Sequence, residues 1–337
     1  MSNILVTGAA GFIGHKVVEK LLRGGHDVTG IDNFNDYYDP RLKELRSKYL
    51  KEIAKAEGRS LTLYRLDIEH LGALKEVFQH QMKMHHGPFT AVINLAARAG
   101  VRYSMENPFV YLATNATGTL NLLELMREYQ CKKIVLASTS SLYAGLPMPF
   151  NEESAVNTPI SPYAATKKAA EVMAYSYHYL YGIDASVVRY FTVYGQAGRP
   201  DMCVFRFIKW IDAGTPITLY GDGTQTRDFT FVDDIAEGTV RAMQPLESGY
   251  EIINLGGGRE PTSLLYVINK IEEYLEKRAS IDYRPFNKVD LTDTMADVTK
   301  AYRLLGGWRA EVGIDKGLRM CVDWYLQNRE LVRSMSV

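Results

Sequence analysis

Only three cysteines, Cys131, Cys203 and Cys321, stand in 337 residues, and their wide spacing and odd number leave neither a disulfide framework nor a CxxC metal site. That scarcity fits a reducing compartment, and the cytoplasm is the expected one. Excess charge is also missing. Lys plus Arg and Asp plus Glu number 39 each, so no global field gathers DNA, RNA or anionic lipid, and nucleic acid is not an expected partner. The longest stretch without charge, Ile134 to Asn151, is broken by Gly145, Pro147, Pro149 and several hydroxyls, so no membrane segment is expected. Ile4-Leu5-Val6 already reads as a strand, which leaves no room for a secretory leader before it. No repeat of solenoid period and no low-complexity tract is visible.

Histidines are few, seven in all, and His80, His85 and His86 gather near a helix end without HExxH spacing or a third carboxylate ligand. They read as a solvated terminus, and no metal is expected. Arg41-Leu42-Lys43-Glu44-Leu45-Arg46-Ser47-Lys48 mixes bases with acids and apolars on one helix, and its basic residues read as the wet face.

What is present is ordinary for a soluble globular protein: 46% hydrophobic and 23% charged residues, with length for one large domain and a smaller lobe. β-rich runs at 3–7, 27–31, 61–66, 91–95, 132–138 and 184–190 alternate with amphipathic stretches at 12–23, 41–57, 70–84, 108–129 and 162–181. Such alternation predicts an α/β fold of Rossmann type, a doubly wound parallel sheet with helices on both faces, and a smaller C-terminal substrate-binding lobe. Beyond residue 195 the rhythm loosens into helices at about 201–213 and 234–243, a strand at 251–255, a helix at 262–277, a strand near 280–284 and a helix at 315–331. Residues 1–195, with returns near 231–257 and 292–306, are assigned to the sheet domain, and 196–230, 258–291 and 307–337 to the substrate-binding lobe.

Thr7-Gly8-Ala9-Ala10-Gly11-Phe12-Ile13-Gly14 follows the first strand and opens the first helix, where backbone must turn tightly and let a pyrophosphate approach helix N–H groups. The second strand ends at Asp32, whose carboxylate can accept both adenosine ribose hydroxyls and repel a 2′-phosphate, which favours NAD over NADP. Asp67, closing the third strand before Ile68, reads equally as an adenine contact or a helix N-cap. Asn94-Leu95-Ala96-Ala97 closes the fourth with residues small enough for a cofactor to pass.

Tyr163 and Lys167 lie four apart in a helical pattern and project from one face. A phenol of ordinary pKa about 10 needs nearby cations, the lysine and the nicotinamide ring, to act as a base near neutrality. A second YxxxK, Tyr266 to Lys270, reads as an ordinary helix face. Only Tyr163 follows a strand ending in Ser138-Thr139-Ser140-Ser141, whose hydroxyls can reach the same reacting oxygen.

With these residues the chain resembles, over nearly its whole length, the extended short-chain dehydrogenases/reductases and within them the nucleotide-sugar 4-epimerases. The anchors are TGxxGxxG at 7–14, Asp32, NLAA at 94–97, the hydroxyl run at 138–141, YxxxK at 163–167 and Arg189-Tyr190-Phe191-Thr192-Val193-Tyr194-Gly195. The resemblance implies Tyr163 as general base, Thr139 as the hydroxyl on the sugar oxygen, Lys167 as the ribose clamp and Asn115 as an organiser of the site. It adds Phe12, Ile13, Asn33, Ile68 and Tyr190 to the cofactor wall and implies a tightly held NAD, regenerated each cycle. It also implies a homodimer through helices near 108–129 and 162–181.

Ser140 and Ser141 stand where related dehydratases and decarboxylases carry an extra carboxylate, which leaves simple epimerisation. Ala99-Gly100-Val101-Arg102-Tyr103-Ser104 and Gly198-Arg199-Pro200-Asp201-Met202 resemble the uronate branch, with Arg199 on a C6 carboxylate and Thr192 beside it. A plain surface charge is the other reading of Arg199. For the nucleotide end of a UDP-sugar the resemblance implies Arg227 on the diphosphate and Asp290 on the uridine ribose. Arg98, Ala144, Gln196 and Asn287-Lys288-Val289 depart from the uronate pattern. A neutral UDP-sugar epimerase and a catalytically silent NAD-binding scaffold are the competing readings.

Overall fold

A computed structural model of the chain describes residues 2–286 and 291–335. The first strands are β1 (Asn3–Thr7), β2 (Asp27–Asp32), β3 (Leu61–Arg65), β4 (Ala91–Asn94), β5 (Lys133–Thr139) and β6 (Asp184–Tyr190). Between them run α1 (Phe12–Arg23), α2 (Arg41–Ala56), α3 (Leu71–His85), α4 (Val101–Glu106), α5 (Pro108–Tyr111), α6 (Gly118–Glu128) and α7 (Pro162–Tyr181). The later elements are β7 (Thr192–Tyr194), α8 (Cys203–Ala213), β8 (Ile217–Tyr220), β9 (Thr226–Arg227), β10 (Phe229–Phe231), α9 (Val232–Arg241) and β11 (Tyr250–Leu255). They end with β12 (Thr262–Ser263), α10 (Leu264–Leu275), β13 (Ile281–Arg284), α11 (Thr299–Leu304), α12 (Ile314–Gln327) and α13 (Arg329–Arg333).

Seven strands form one parallel sheet in the order β11-β6-β5-β4-β1-β2-β3. Alternation along the strands makes two cores. Ile4 and Val6 of β1, with Val135 of β5 and Val188 of β6, enter one, while Leu5, Ile134, Leu136 and Val187 enter the other. Burial on both faces is what near-continuous apolar strands require of a parallel sheet. The order reverses between β1 and β4, the point at which a crevice opens at the carboxyl ends of doubly wound strands. Three two-stranded ladders, β10-β7, β12-β9 and β13-β8, stand apart from the main sheet.

The differences from the sequence reading are local. The stretch 108–129 is not one α-helix: α5 passes through a π-helical segment, Leu112–Thr117, into α6. The helix expected at 262–277 starts at Leu264 after the short strand β12, and that expected at 315–331 divides at Asn328. Strands β7 to β10 hold two to four residues each, too few for a period-two pattern to show in the sequence.

Candidate functional site

A cavity of about 770 Å³ opens at the carboxyl ends of the sheet strands, within the size range of cofactor and ligand sites. Its dinucleotide end is mostly main chain. Gly11 leads into α1 without any side-chain cap, so the first-turn N–H groups of the helix are not blocked by a neighbouring side chain. A Cβ on Gly14 would stand 1.9 Å from the Gly8 carbonyl oxygen, and one on Gly8 2.9 Å from the Ala96 nitrogen. The loop therefore packs backbone against backbone and turns it to the cavity. Phe12, Ile13, Leu95, Ala96 and Ala97 line the same wall.

At the end of β2, Asp32 is buried, and its two oxygens accept from the N–H groups of Ala10 (3.1 Å) and Phe34 (2.8 Å). Asn33 donates to Asp67 at 2.7 Å, and both lie on the wall with Ile68. Asp67 is not the N-cap of α3, which is His70, so the cap alternative falls. An uncapped helix start beside a glycine cradle, with a carboxylate one strand away, suits the pyrophosphate and adenosine ribose of NAD.

Ser161 caps α7 by accepting the Ala164 N–H, and Pro162 fills its first position, so Tyr163 and Lys167 occupy the opening turns with their side chains on the cavity. Burial pushes the Tyr163 phenol above its ordinary value, while the Thr139 hydroxyl, hydrogen-bonded to it, and the Arg199 charge pull it down. Thr139 also accepts the Ser141 N–H at 3.1 Å, which ties the hydroxyl run together. Burial pulls Lys167 down to about 8, and Glu171, one turn further along, opposes that. Glu171 is itself held by a buried two-pronged bond from Arg189, at 2.9 and 2.8 Å. Tyr190 lines the wall and shares a hydrogen bond of 2.8 Å with Thr239.

Asn115 lies behind the wall, not on it. The π-helical segment turns it inward to accept from the Arg98 N–H (2.9 Å) and donate to the Arg98 carbonyl (3.0 Å) and Thr166 hydroxyl (3.1 Å). It fixes the loop after β4 to α7 and does not itself line the cavity.

At the end away from the glycine loop Ser140, Ser141, Thr192, Arg199, Arg102 and Arg227 all face the cavity. Arg199 is neither a surface charge nor a bare cation. Its Nε and Nη2 grip Asp201 at 3.0 and 2.6 Å, and its guanidinium lies 5.8 Å from the Tyr37 ring. Burial works against that charge, and Asp201 outweighs it. Arg102 stacks over Tyr220 at 4.0 Å, and Arg227 donates to the Thr226 and Thr292 carbonyls, each at 2.8 Å. Asp290 and the Asn287-Lys288-Val289 departure lie outside the described residues.

Sequence reasoning missed Arg206, which lines the cavity 4.3 Å from the Trp210 ring with a buried Nε that has no hydrogen-bond partner among the described residues. Its signal was a basic residue set between Phe205 and Phe207 in the otherwise apolar opening turns of α8. The wet-face reading of 41–48 holds for Arg41 and Lys48, which are exposed, and fails for Lys43 and Arg46. Lys43 and Arg46 are 4% and 2% exposed because they fall at three-residue spacing on the same face of α2 as Leu50 and Ile53. Lys43 reaches Asp32 at 3.4 Å. The second YxxxK stays at the surface, with Tyr266 39% exposed and Lys270 bonded to Glu273.

The NAD dependent epimerase/dehydratase family model matches residues 4–256. A UDP-glucuronate 4-epimerase of Thermodesulfobacterium geofontis is 54% identical over 337 residues, all of both chains. The crystal structure of a Bacillus cereus UDP-glucuronic acid 4-epimerase with UDP-glucuronic acid and NAD superposes with a TM-score of 0.87 at 34% identity, over 96% of this chain and 99% of that one. The Thermus thermophilus UDP-glucose 4-epimerase complex with NAD gives 0.83 at 31% identity, over 96% and 99%.

Proposed function

From the premise that the chain belongs to the NAD-dependent epimerase/dehydratase family, we infer that it inverts C4 of UDP-glucuronate to give UDP-galacturonate. The observation that carries this reading is that Tyr163, Thr139 and Arg199 line one cavity, with the Thr139 hydroxyl bonded to the Tyr163 phenol and the Arg199 charge drawing that phenol down.

NAD, when bound, takes up the C4 hydride and gives it back, so none is consumed. Gly8, Gly11 and Gly14 hold its pyrophosphate, Asp32 its adenosine ribose, and Lys167 the ribose beside the reacting ring. The Tyr163 phenolate removes the C4 hydroxyl proton while the Thr139 hydroxyl steadies the same oxygen, and the phenol returns the proton once the other face of the sugar is presented. Because the 4-keto uronate is a β-keto acid, it loses CO2 when the C5–carboxylate bond aligns with the carbonyl π system. Arg199, with Thr192, Ser140 and Ser141, holds the carboxylate out of that alignment. Asp201 occupies Nε and Nη2 of Arg199, which leaves the Nη1 donors for the sugar acid. Arg102, Arg206 and Arg227 take the diphosphate.

The same reading assigns 1–195, with the returns near 231–257 and 292–306, to NAD, and the remaining segments to the nucleotide sugar. It places the enzyme in the cytoplasm as a homodimer, supported by exposed apolar side chains such as Phe109 (80%) and Tyr179 (77%) on the two helical stretches expected to pair. A monomer mass by light scattering would reject the dimer. Among the described residues no helix is long and apolar enough to cross a membrane.

The test of the reaction is proton NMR of UDP-glucuronate with purified enzyme and no added NAD, following H4 and the anomeric proton. UDP-galacturonate without pentose is expected. No change with UDP-glucuronate, but turnover of UDP-glucose, would replace the acid sugar by a neutral one.

A further inference from the structure

Arg46 of α2 is 2% exposed, and its hydrogen bonds run to three separate segments. Nε and Nη2 donate to the Ala197 carbonyl at 3.2 and 2.6 Å, and Nη2 reaches the Gly198 carbonyl at 3.2 Å. Nη1 donates to the Ala10 carbonyl at 3.1 Å, inside the glycine loop, and to the Tyr38 hydroxyl at 2.8 Å. Among the described residues none of these hydrogen-bond partners is a carboxylate, so the guanidinium charge is buried against three carbonyl dipoles and the Tyr38 hydroxyl.

We propose that Arg46 is a positioning residue that ties the glycine loop of the dinucleotide end to the loop carrying Arg199. This rests on the reading of Arg199 as the holder of the sugar acid. Ala197, two residues before Arg199, has φ +50°, a left-handed conformation that a side chain disfavours and that surrounding bonds must hold. The carbonyl Arg46 grips twice is that of Ala197 itself. Through Tyr38 the same side chain steadies the loop bearing Tyr37, whose ring faces Arg199.

Two features favour a link to the cofactor end. A buried cation without a carboxylate is costly, and the anion that best offsets this one is a pyrophosphate on the other side of the glycine loop. His15, next to Gly14, does not add to the charge: burial first, then Arg46 and Lys16, hold its imidazole well below the ordinary value, and the neutral ring bonds the Gly11 carbonyl at 3.2 Å. A lysine cannot replace the fork, since four acceptors in three directions exceed three donors on one nitrogen.

The experiment compares wild type, Arg46→Lys, Arg199→Ala and the double variant, with KM for UDP-glucuronate, NAD retained after desalting and melting temperature read for each. Arg46→Lys is expected to raise KM about tenfold in the wild-type background, to raise it less than twofold once Arg199 is gone, and to halve retained NAD, with the melting temperature within a few degrees. A tenfold rise in both backgrounds, or unchanged KM with only a lower melting temperature, overturns the proposal and leaves the Arg199 reading standing. If Arg199→Ala alone leaves KM unchanged, that reading fails and the link falls with it. Arg46→Met, which keeps length and removes every donor, is expected to exceed the lysine variant in the same direction; a smaller effect counts against the donor fork.

Discussion

At one end of the cavity Gly8, Gly11 and Gly14 bring main chain to the surface, and Asp32 closes the wall one strand away. At the other end Arg102, Arg199, Arg206, Tyr220 and Arg227 come from segments between α4 and β9 that meet only in the folded chain. Backbone lines one end of the cavity and side chains line the other. A main-chain cradle is set by spacing within one loop, whereas a side-chain clamp depends on which charges the fold buries and pairs. Arg199 shows this best, because its first carboxylate partner is Asp201 of the protein itself.

The contrast makes separable predictions. Tyr163→Phe acts where the two ends meet and is expected to lower kcat about a thousandfold, within the range of general acid–base contributions, while retaining NAD as read by its absorbance after denaturation. Arg199→Ala is expected to lower kcat/KM for UDP-glucuronate about a hundredfold, the size of a lost charge-assisted bond, with retained NAD unchanged. Loss of NAD in that variant would erase the boundary between the ends.

Gly14→Ala strains the other end. Its Cβ meets a carbonyl oxygen that must shift, at roughly 2 kcal/mol of overpacking, so NAD affinity is expected to fall about thirtyfold while the sugar KM at saturating NAD stays constant. Thr139→Val tests the electrostatics between the ends. The base must be ionised, burial raises the Tyr163 phenol, and the Thr139 bond pulls it down; removing that bond raises the pKa again. The acidic limb of kcat/KM therefore moves to higher pH, and a limb moving lower would contradict the assignment. Arg199→Ala shifts it in the same direction. Tyr266→Phe, in the surface copy of the YxxxK pattern, is expected to change neither rate nor NAD content, as steady-state assay would show.

Much of the fold and of the dinucleotide end is legible in the chain because each signal is local. The strands before residue 191 are marked by apolar runs, the cradle by glycine spacing, and Tyr163 with Lys167 by one turn of helix after a hydroxyl run. The break at Leu112–Thr117 is not legible, since it answers to the loop and helix that Asn115 must bond. Nor are the short ladders β7 to β10, whose pairing is decided by neighbours far away in sequence.

What the chain alone set was the parallel sheet, the glycine turn after β1 and the YxxxK helix start that follows a hydroxyl run, because periodicity and short spacing are properties of single segments. Only the tertiary structure decided that Lys43 and Arg46 are buried, that Asp201 neutralises Arg199, that Arg206 joins the cavity and that one YxxxK of two lies in the site. The physical reason is that burial and charge pairing depend on which distant segments cover a side chain.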